Sequence, residues 1–291
     1  MLAAAATLLA AGCATTSPEG PTQPTVDHVA IIEEMTAGLS PNAFYRDPTA
    51  RERAQARAAV EALLRDHADT EVLDRTFGEL GFRTFQGTDP RTGRPYSLFT
   101  ADRDGDRPWG VVLVDRSTAP RVVVEVPHPG FDVNTDDLGL EVARSTPGAV
   151  LLIAGAHRQT AGGDGDVAHN DGSVFHTMAD EFARGGLPQV QLHGFADRNL
   201  EGADAVVSAG SADVTRDARR LAALLDQAGI AACRAWAQRC GRLEGTTNVQ
   251  GQSAARLGTP FIHLELSWSV RGDQSRLLAA AKAVGSLYAG R

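Results

Sequence analysis

The run Val122-Val123-Val124-Glu125-Val126-Pro127-His128-Pro129-Gly130-Phe131-Asp132 holds a strand and, directly after it, a turn carrying polar side chains. β-Branched residues fill Val122–Val126 almost without interruption. That is the pattern of a strand covered on both faces rather than of one with a wet side. The prolines and Gly130 end it. His128 leaves the strand at this stop, and Asp132 follows within the same turn.

Working outward, similar signals alternate. Toward the carboxyl terminus the periodicity predicts helices over 138–144, 174–184, 214–227 and 274–287, and strands over 150–154, 190–193, 205–207, 230–233 and 261–266. Toward the amino terminus it predicts strands over 111–114, 96–100 and 82–85. Before them come helices over 49–67 and 70–80, the second stopped by Gly81. Continuous apolar strands alternating with helices specify an α/β fold, a mixed and mainly parallel sheet with helices on both faces. In such sheets chemistry collects in the loops at the carboxyl ends of the strands.

Length and composition narrow the class. A chain of 291 residues with 43% hydrophobic and 22% charged residues is long enough for a large core and is not compositionally disordered. The net charge of -8 argues against nucleic acid as a partner, which needs clustered positive charge. Lys282 is the only lysine among 28 basic residues, so Schiff-base and P-loop chemistry lack their lysine.

The amino terminus predicts export. Residues 2–11 form an apolar run too short to span a bilayer, and it matches the core of a signal peptide. Leu8-Leu9-Ala10-Ala11-Gly12-Cys13 resembles a bacterial lipobox, with cleavage before a lipidated Cys13. The expected organisation is a signal peptide over 1–12, a flexible Thr/Ser/Pro/Gly-rich tether over 13–25, a helical amino-terminal lobe or cap over 26–100, and a catalytic α/β domain over 101–291. The chain is then a lipid-anchored protein of the cell membrane facing out of the cytoplasm, touching the membrane only through its lipid. An oxidising compartment permits a disulfide between Cys233 and Cys240, the two remaining cysteines.

Three strand ends carry the suggestive residues: His128 with Asp132, then His193 in Gln191-Leu192-His193-Gly194-Phe195, then His263-Leu264-Glu265-Leu266-Ser267. Two imidazoles and a carboxylate, with a further carboxylate facing an open position, is the composition of a catalytic zinc centre. We assign His128, Asp132 and His193 as ligands of one zinc ion and Glu265 as the general base and acid. Burying Glu265 in an apolar strand is costly unless it has a partner or a task. His263 shares its face and reads as a structural or supporting residue.

These motifs (His128-Pro129-Gly130, Asp132, Asn134-Thr135-Asp136-Asp137, Leu192-His193-Gly194, and His263 to Ser267 followed by Arg271) look like those of the poly-γ-glutamate hydrolase family. That family belongs to a wider group with zinc carboxypeptidases and N-formylglutamate amidohydrolases. The resemblance spans roughly residues 122–271 at short motifs only. It implies a zinc carboxypeptidase-like (phosphorylase/hydrolase-like) fold, a zinc-dependent hydrolysis of peptide or γ-glutamyl amide bonds, and ligands of the His, carboxylate, His type. The sequence departs from the pattern: an Asp stands where a Glu is usual, and Phe131 occupies the Glu position of His-x-x-Glu. Asp136 and Asp137 therefore stay open as alternatives to Asp132.

Arg158, after the strand at 150–154, and Arg271 are candidates for binding a substrate carboxylate. Asn248 and Gln250 lie in an uncharged loop able to orient a substrate backbone. His169 and His176 are weaker candidates, and the Gly/Asp-rich loop 164–171 is a lid or a solvated turn that lacks EF-hand spacing. The acidic net charge repels a polyanionic substrate, so that reading needs local rescue by the metal and an arginine such as Arg158. Rival readings are an N-acylamino-acid (N-formylglutamate-type) amidohydrolase and a non-catalytic lipid-anchored binding protein. A serine hydrolase lacks its Gly-x-Ser-x-Gly elbow and a dinucleotide enzyme lacks its Gly-x-Gly-x-x-Gly.

Overall fold

The computed structural model describes residues 27–65 and 68–289. The expected signal peptide, Cys13 and the tether lie outside the described residues. The described residues open with three helices, α1 (His28–Thr36), α2 (Ala50–Leu64) and α3 (Thr70–Glu79). Strands β1 (Arg83–Thr88), β2 (Pro95–Thr100), β3 (Val111–Asp115) and β4 (Val122–Val126) follow. Then come α4 (Thr135–Ser145), β5 (Ala149–Ile153), α5 (Val174–Arg184), β6 (Gln189–Phe195), β7 (Ala205–Ser208), α6 (Arg216–Gln227) and β8 (Ala232–Arg234). The chain closes with α7 (Val249–Leu257), β9 (Phe261–Ser267), α8 (Trp268–Arg271) and α9 (Gln274–Gly285). Thr215 accepts from the Ala218 N–H and so starts α6 later than periodicity predicts. The predicted α4 starts earlier, at Thr135, behind the left-handed Asn134.

The nine strands of the described residues form one sheet in the order β1-β2-β3-β5-β4-β6-β9-β7-β8. The central strands β5, β4, β6 and β9 run parallel, and antiparallel strands flank them. The chain leaves β4 for β5 on one side and returns across it to β6 on the other. With right-handed crossovers this places the two connecting helices on opposite faces. Accordingly α4 packs with α9, and α9 with α6, while α5 packs with α2 and α7. The reversal opens a crevice at the carboxyl ends of β4 and β6.

One apolar cluster runs from Ile32 to Tyr288 and binds the helices to both faces. Phe77 of α3 stacks on Phe99 of β2 with ring centroids 3.7 Å apart. The division expected at residue 100 falls between β2 and β3, which are hydrogen-bonded neighbours of this sheet. A smaller cluster of Phe195, Val206, Cys233 and Cys240 surrounds the Cys233–Cys240 disulfide. Among the described residues no helix is long and apolar enough to cross a membrane.

Candidate metal centre

Directly after β4 the backbone makes a single tight turn. The N–H groups of Phe131 and Asp132 both donate to the His128 carbonyl, at 3.0 and 2.8 Å. An i to i+4 turn puts two side chains on one side, so Asp132 folds back beside the His128 ring. Asn134 then turns through φ 67 and donates its side-chain amide to the Arg271 carbonyl at 2.9 Å, tying the turn to the end of α8.

Register supplies the other members. His193 of β6 stands opposite Glu265 of β9, and Gln191 stands between Glu125 of β4 and His263 of β9. Opposed residues of adjacent strands share a face, so these form a polar seam within an otherwise apolar sheet. His128, Asp132 and His193 are all buried, and one ligand atom from each lies within 4.8 Å of the others. Asp136 and Asp137 sit in the first turn of α4, outside this group. A second group, His193, His263 and Glu265, overlaps the first at His193.

Hydrogen bonds distinguish the two groups. His128 Nε2–H donates to Asp166 Oδ1 at 2.8 Å, and His193 Nε2–H donates to Gln191 Oε1 at 2.7 Å. Each ring is thereby turned so that Nδ1 faces Asp132 Oδ2, at 3.3 Å from His128 and 3.2 Å from His193. A neutral imidazole carries one proton, and here Nε2 holds it. Three lone-pair-bearing atoms therefore converge, which is favourable only around a proton or a cation. His263 has no such tether: its Nδ1 is buried with no partner among the described residues, and its ring stacks on His193 at 4.5 Å.

The charge states follow. Burial opposes ionisation of Asp132, but the adjoining imidazoles of His128 and His193 prevail and hold its carboxyl far below the usual carboxylate range. Burial also opposes protonation of His128, yet Asp132 and Asp166 raise its pKa above the ordinary value. For His193 and His263 desolvation wins and lowers the pKa, strongly for His263. Burial, reinforced by the Asp132 charge, pushes Glu265 well above the ordinary range, and its Oε2 has no hydrogen-bond partner among the described residues.

The site floors a cleft of about 340 Å³ whose walls include Phe131, Arg158, His169, Asn199 and the loop 241–248. The remaining expected residues are distributed unequally. Arg158 reaches the rim, donates to Asp166 Oδ2 at 2.6 Å and lies 5.0 Å over the Phe131 ring. His169 also meets Asp166, at 3.1 Å.

Asn248 lines the cleft with both ends of its amide engaged. Its Oδ1 caps α7 through the Gly251 N–H at 2.9 Å, and its Nδ2 donates to Gln191. Gln250 is buried beneath, donating to the Val167 carbonyl at 2.8 Å, and the buried His176 lies beside it. Arg271, expected to bind substrate, is instead buried and donates to the backbone carbonyls of Leu266, Val133 and Phe195. Gly194 makes room for it, since a Cβ there would collide with the guanidinium. A guanidinium has five N–H donors, and three carbonyls from separate segments draw it inward.

Sequence reasoning left out Asp166, Gln191 and Glu125. Asp166 carries no distinguishing signal in its Gly/Asp-rich loop. Gln191 stands one period-2 step before His193, and Glu125 interrupts a valine run, so both were detectable as polar side chains on a buried face.

No protein-family model matches the chain, and no curated protein matches it. Among solved structures, the chain is similar to a bacteriophage poly-gamma-glutamate hydrolase, with 21% identity, 61% of this chain and 87% of that chain covered, and a TM-score of 0.43. It is similar to the zinc-free apo form of YNDL, with 16% identity, 63% and 90% covered, and a TM-score of 0.44. It is also similar to an aspartoacylase family protein from Mesorhizobium loti, with 12% identity, 69% and 70% covered, and a TM-score of 0.39.

Proposed function

We propose that this protein is an exported, lipid-anchored, zinc-dependent hydrolase of peptide or γ-glutamyl amide bonds whose substrate bears a free carboxylate. The observation that carries the reading is the convergence of two imidazole lone pairs on one buried, ionised carboxylate, each ring locked from behind by an oxygen acceptor. That donor set fits zinc: nitrogen and oxygen ligands from three side chains, with room for water or substrate in a fourth position.

His128 Nδ1, His193 Nδ1 and an Asp132 oxygen would hold the ion. Zinc held there would supply Lewis acidity for acidifying water and polarising the scissile carbonyl, and a positive charge that would favour the Glu265 carboxylate. Glu265, without a partner at Oε2 among the described residues and open to the cleft, accepts a proton from the attacking water and delivers it to the leaving amide nitrogen. The C–N bond breaks as the C–O bond forms, giving a carboxylic acid and an amine. Asp166 and Gln191 hold the two imidazoles in one tautomer and orientation. Arg158 keeps guanidinium donors free at the rim beyond the pair with Asp166, available to a substrate oxygen. The leader and Cys13 support export, and the Cys233–Cys240 bridge suits an oxidising compartment.

Zinc measured by mass spectrometry on purified protein tests the centre. Wild-type protein is expected to carry one ion per chain and His128→Ala to lose it. Zinc-supplemented wild-type protein that stays metal-free overturns the reading. Glu265→Gln is expected to keep the metal while amide hydrolysis falls by roughly 10²–10⁴-fold, the usual weight of a general acid-base group. Full activity in that variant would remove Glu265 from its role.

A further inference from the structure

We infer that Arg242, on the disulfide-braced loop 241–248, is the group that recognises a substrate carboxylate in the cleft and so sets the preference for anionic substrates. The inference rests on the amide-hydrolase reading of the same site and adds to Arg158 of that reading a second cation, the one that takes the carboxylate.

Three guanidinium groups lie in or beside the cleft, and two already have protein partners. Arg271 is buried on three backbone carbonyls. Arg158 faces Asp166, whose carboxylate offsets its charge at 2.6 Å. Arg242 lines the same cleft, is exposed, and makes no hydrogen bond or ion pair with any described residue. A cation on the cleft wall with no counter-charge among the described residues is electrostatically available to an incoming anion. A guanidinium fits a carboxylate through two parallel N–H donors.

The loop that carries Arg242 is pinned on every side except at its tip. The Cys233–Cys240 disulfide, with Cα atoms 6.0 Å apart, fastens its start to β8. Glu244 folds its side chain back to accept the Cys240 N–H at 2.8 Å, and its carbonyl accepts the Ser208 hydroxyl of β7 at 2.7 Å. Gly245 adopts φ 62 against the His263 ring, where any Cβ would collide with the imidazole. Asn248 ends the loop as the cap of α7. A loop ordered before ligand arrives loses little entropy on binding, and that preorganisation converts into affinity. The cysteine pair thus has a use beyond stability: it holds the recognition arginine over the cleft.

The test uses zinc-loaded Glu265→Gln protein, which binds without turnover, and two probes: γ-glutamylglutamate and the same dipeptide with its carboxyl-terminal residue fully amidated. Calorimetry is expected to give a preference for the acidic probe on the order of tenfold, the weight of one charge-assisted contact. Adding Arg242→Ala is expected to abolish that preference, Arg242→Lys to keep part of it, and the Cys233→Ser/Cys240→Ser pair to weaken it. Zinc content is measured in every variant, so a failed metal centre is distinguished from a failed recognition site. Equal binding of the two probes by the parent, binding of neither, or an intact preference in Arg242→Ala overturns the inference.

Discussion

His128 and His193 are positioned by what stands behind them. Their Nδ1 atoms point at Asp132 only because Nε2 is committed elsewhere, to Asp166 and Gln191. Asp166 is the more exposed of these tethers and also pairs with Arg158, so it joins the candidate metal centre to the rim. Asp166→Asn keeps the size but removes the charge that favours His128 as a strong donor. Loss of such an outer partner typically costs 10–100-fold in metal affinity. Competition with a chelator of known zinc affinity is expected to report a loss in that range for Asp166→Asn. An unchanged affinity would leave the tether without function.

At the scale of elements, β4, β6 and β9 are bound by a polar seam as well as by backbone ladders. Gln191 is its centre: its amide nitrogen donates to Glu125 Oε2 at 2.8 Å and to Gln250 Oε1 at 3.2 Å, while its oxygen accepts from His193 and Asn248. Glu125 is completely buried, and desolvation pushes its pKa up to about 8 despite the Gln191 bond. A group whose pKa is higher folded than unfolded contributes stability that is present below its unfolded value and lost as pH rises through its folded value. For Glu125 that loss runs from about pH 4.5 to about pH 8. Glu125→Gln keeps an oxygen for Gln191 and does not titrate. Melting temperatures across this range are expected to show the variant gaining on wild type as pH rises. Parallel curves would mean that Glu125 stays neutral or is compensated throughout.

Over the whole molecule, the amino-terminal segment is structurally continuous with the rest. β1 and β2 extend the sheet beside β3, and α2 covers α5. Removing them bares the edge of β3 and a broad apolar face, both routes to aggregation. A chain beginning at residue 101 is therefore expected to lose cooperative thermal unfolding and to bind a hydrophobic dye, with circular dichroism and dye fluorescence as the measurements. A sharp, two-state melt of that fragment would establish residues 27–100 as a dispensable lobe. The net charge of -8 belongs to this scale too. It repels anions from the molecule as a whole, so attraction has to come from local cations at the cleft.

The sequence alone determined the layering and pointed to the strand ends where polar side chains gather. Valine-rich strands alternating with amphipathic helices can bury themselves only as a covered sheet, and a histidine or glutamate at the end of such a strand is conspicuous because burying it is costly. Tertiary structure decided which polar groups meet. It singled out Asp132 over Asp136 and Asp137 through a turn whose closure depends on backbone geometry. It brought in Asp166 from a loop far along the chain, drew Arg271 away onto carbonyls, and left Arg242 at the cleft with no partner among the described residues. These outcomes depend on partners remote in sequence, and hydrogen-bond satisfaction at a given side chain is settled only when those partners arrive.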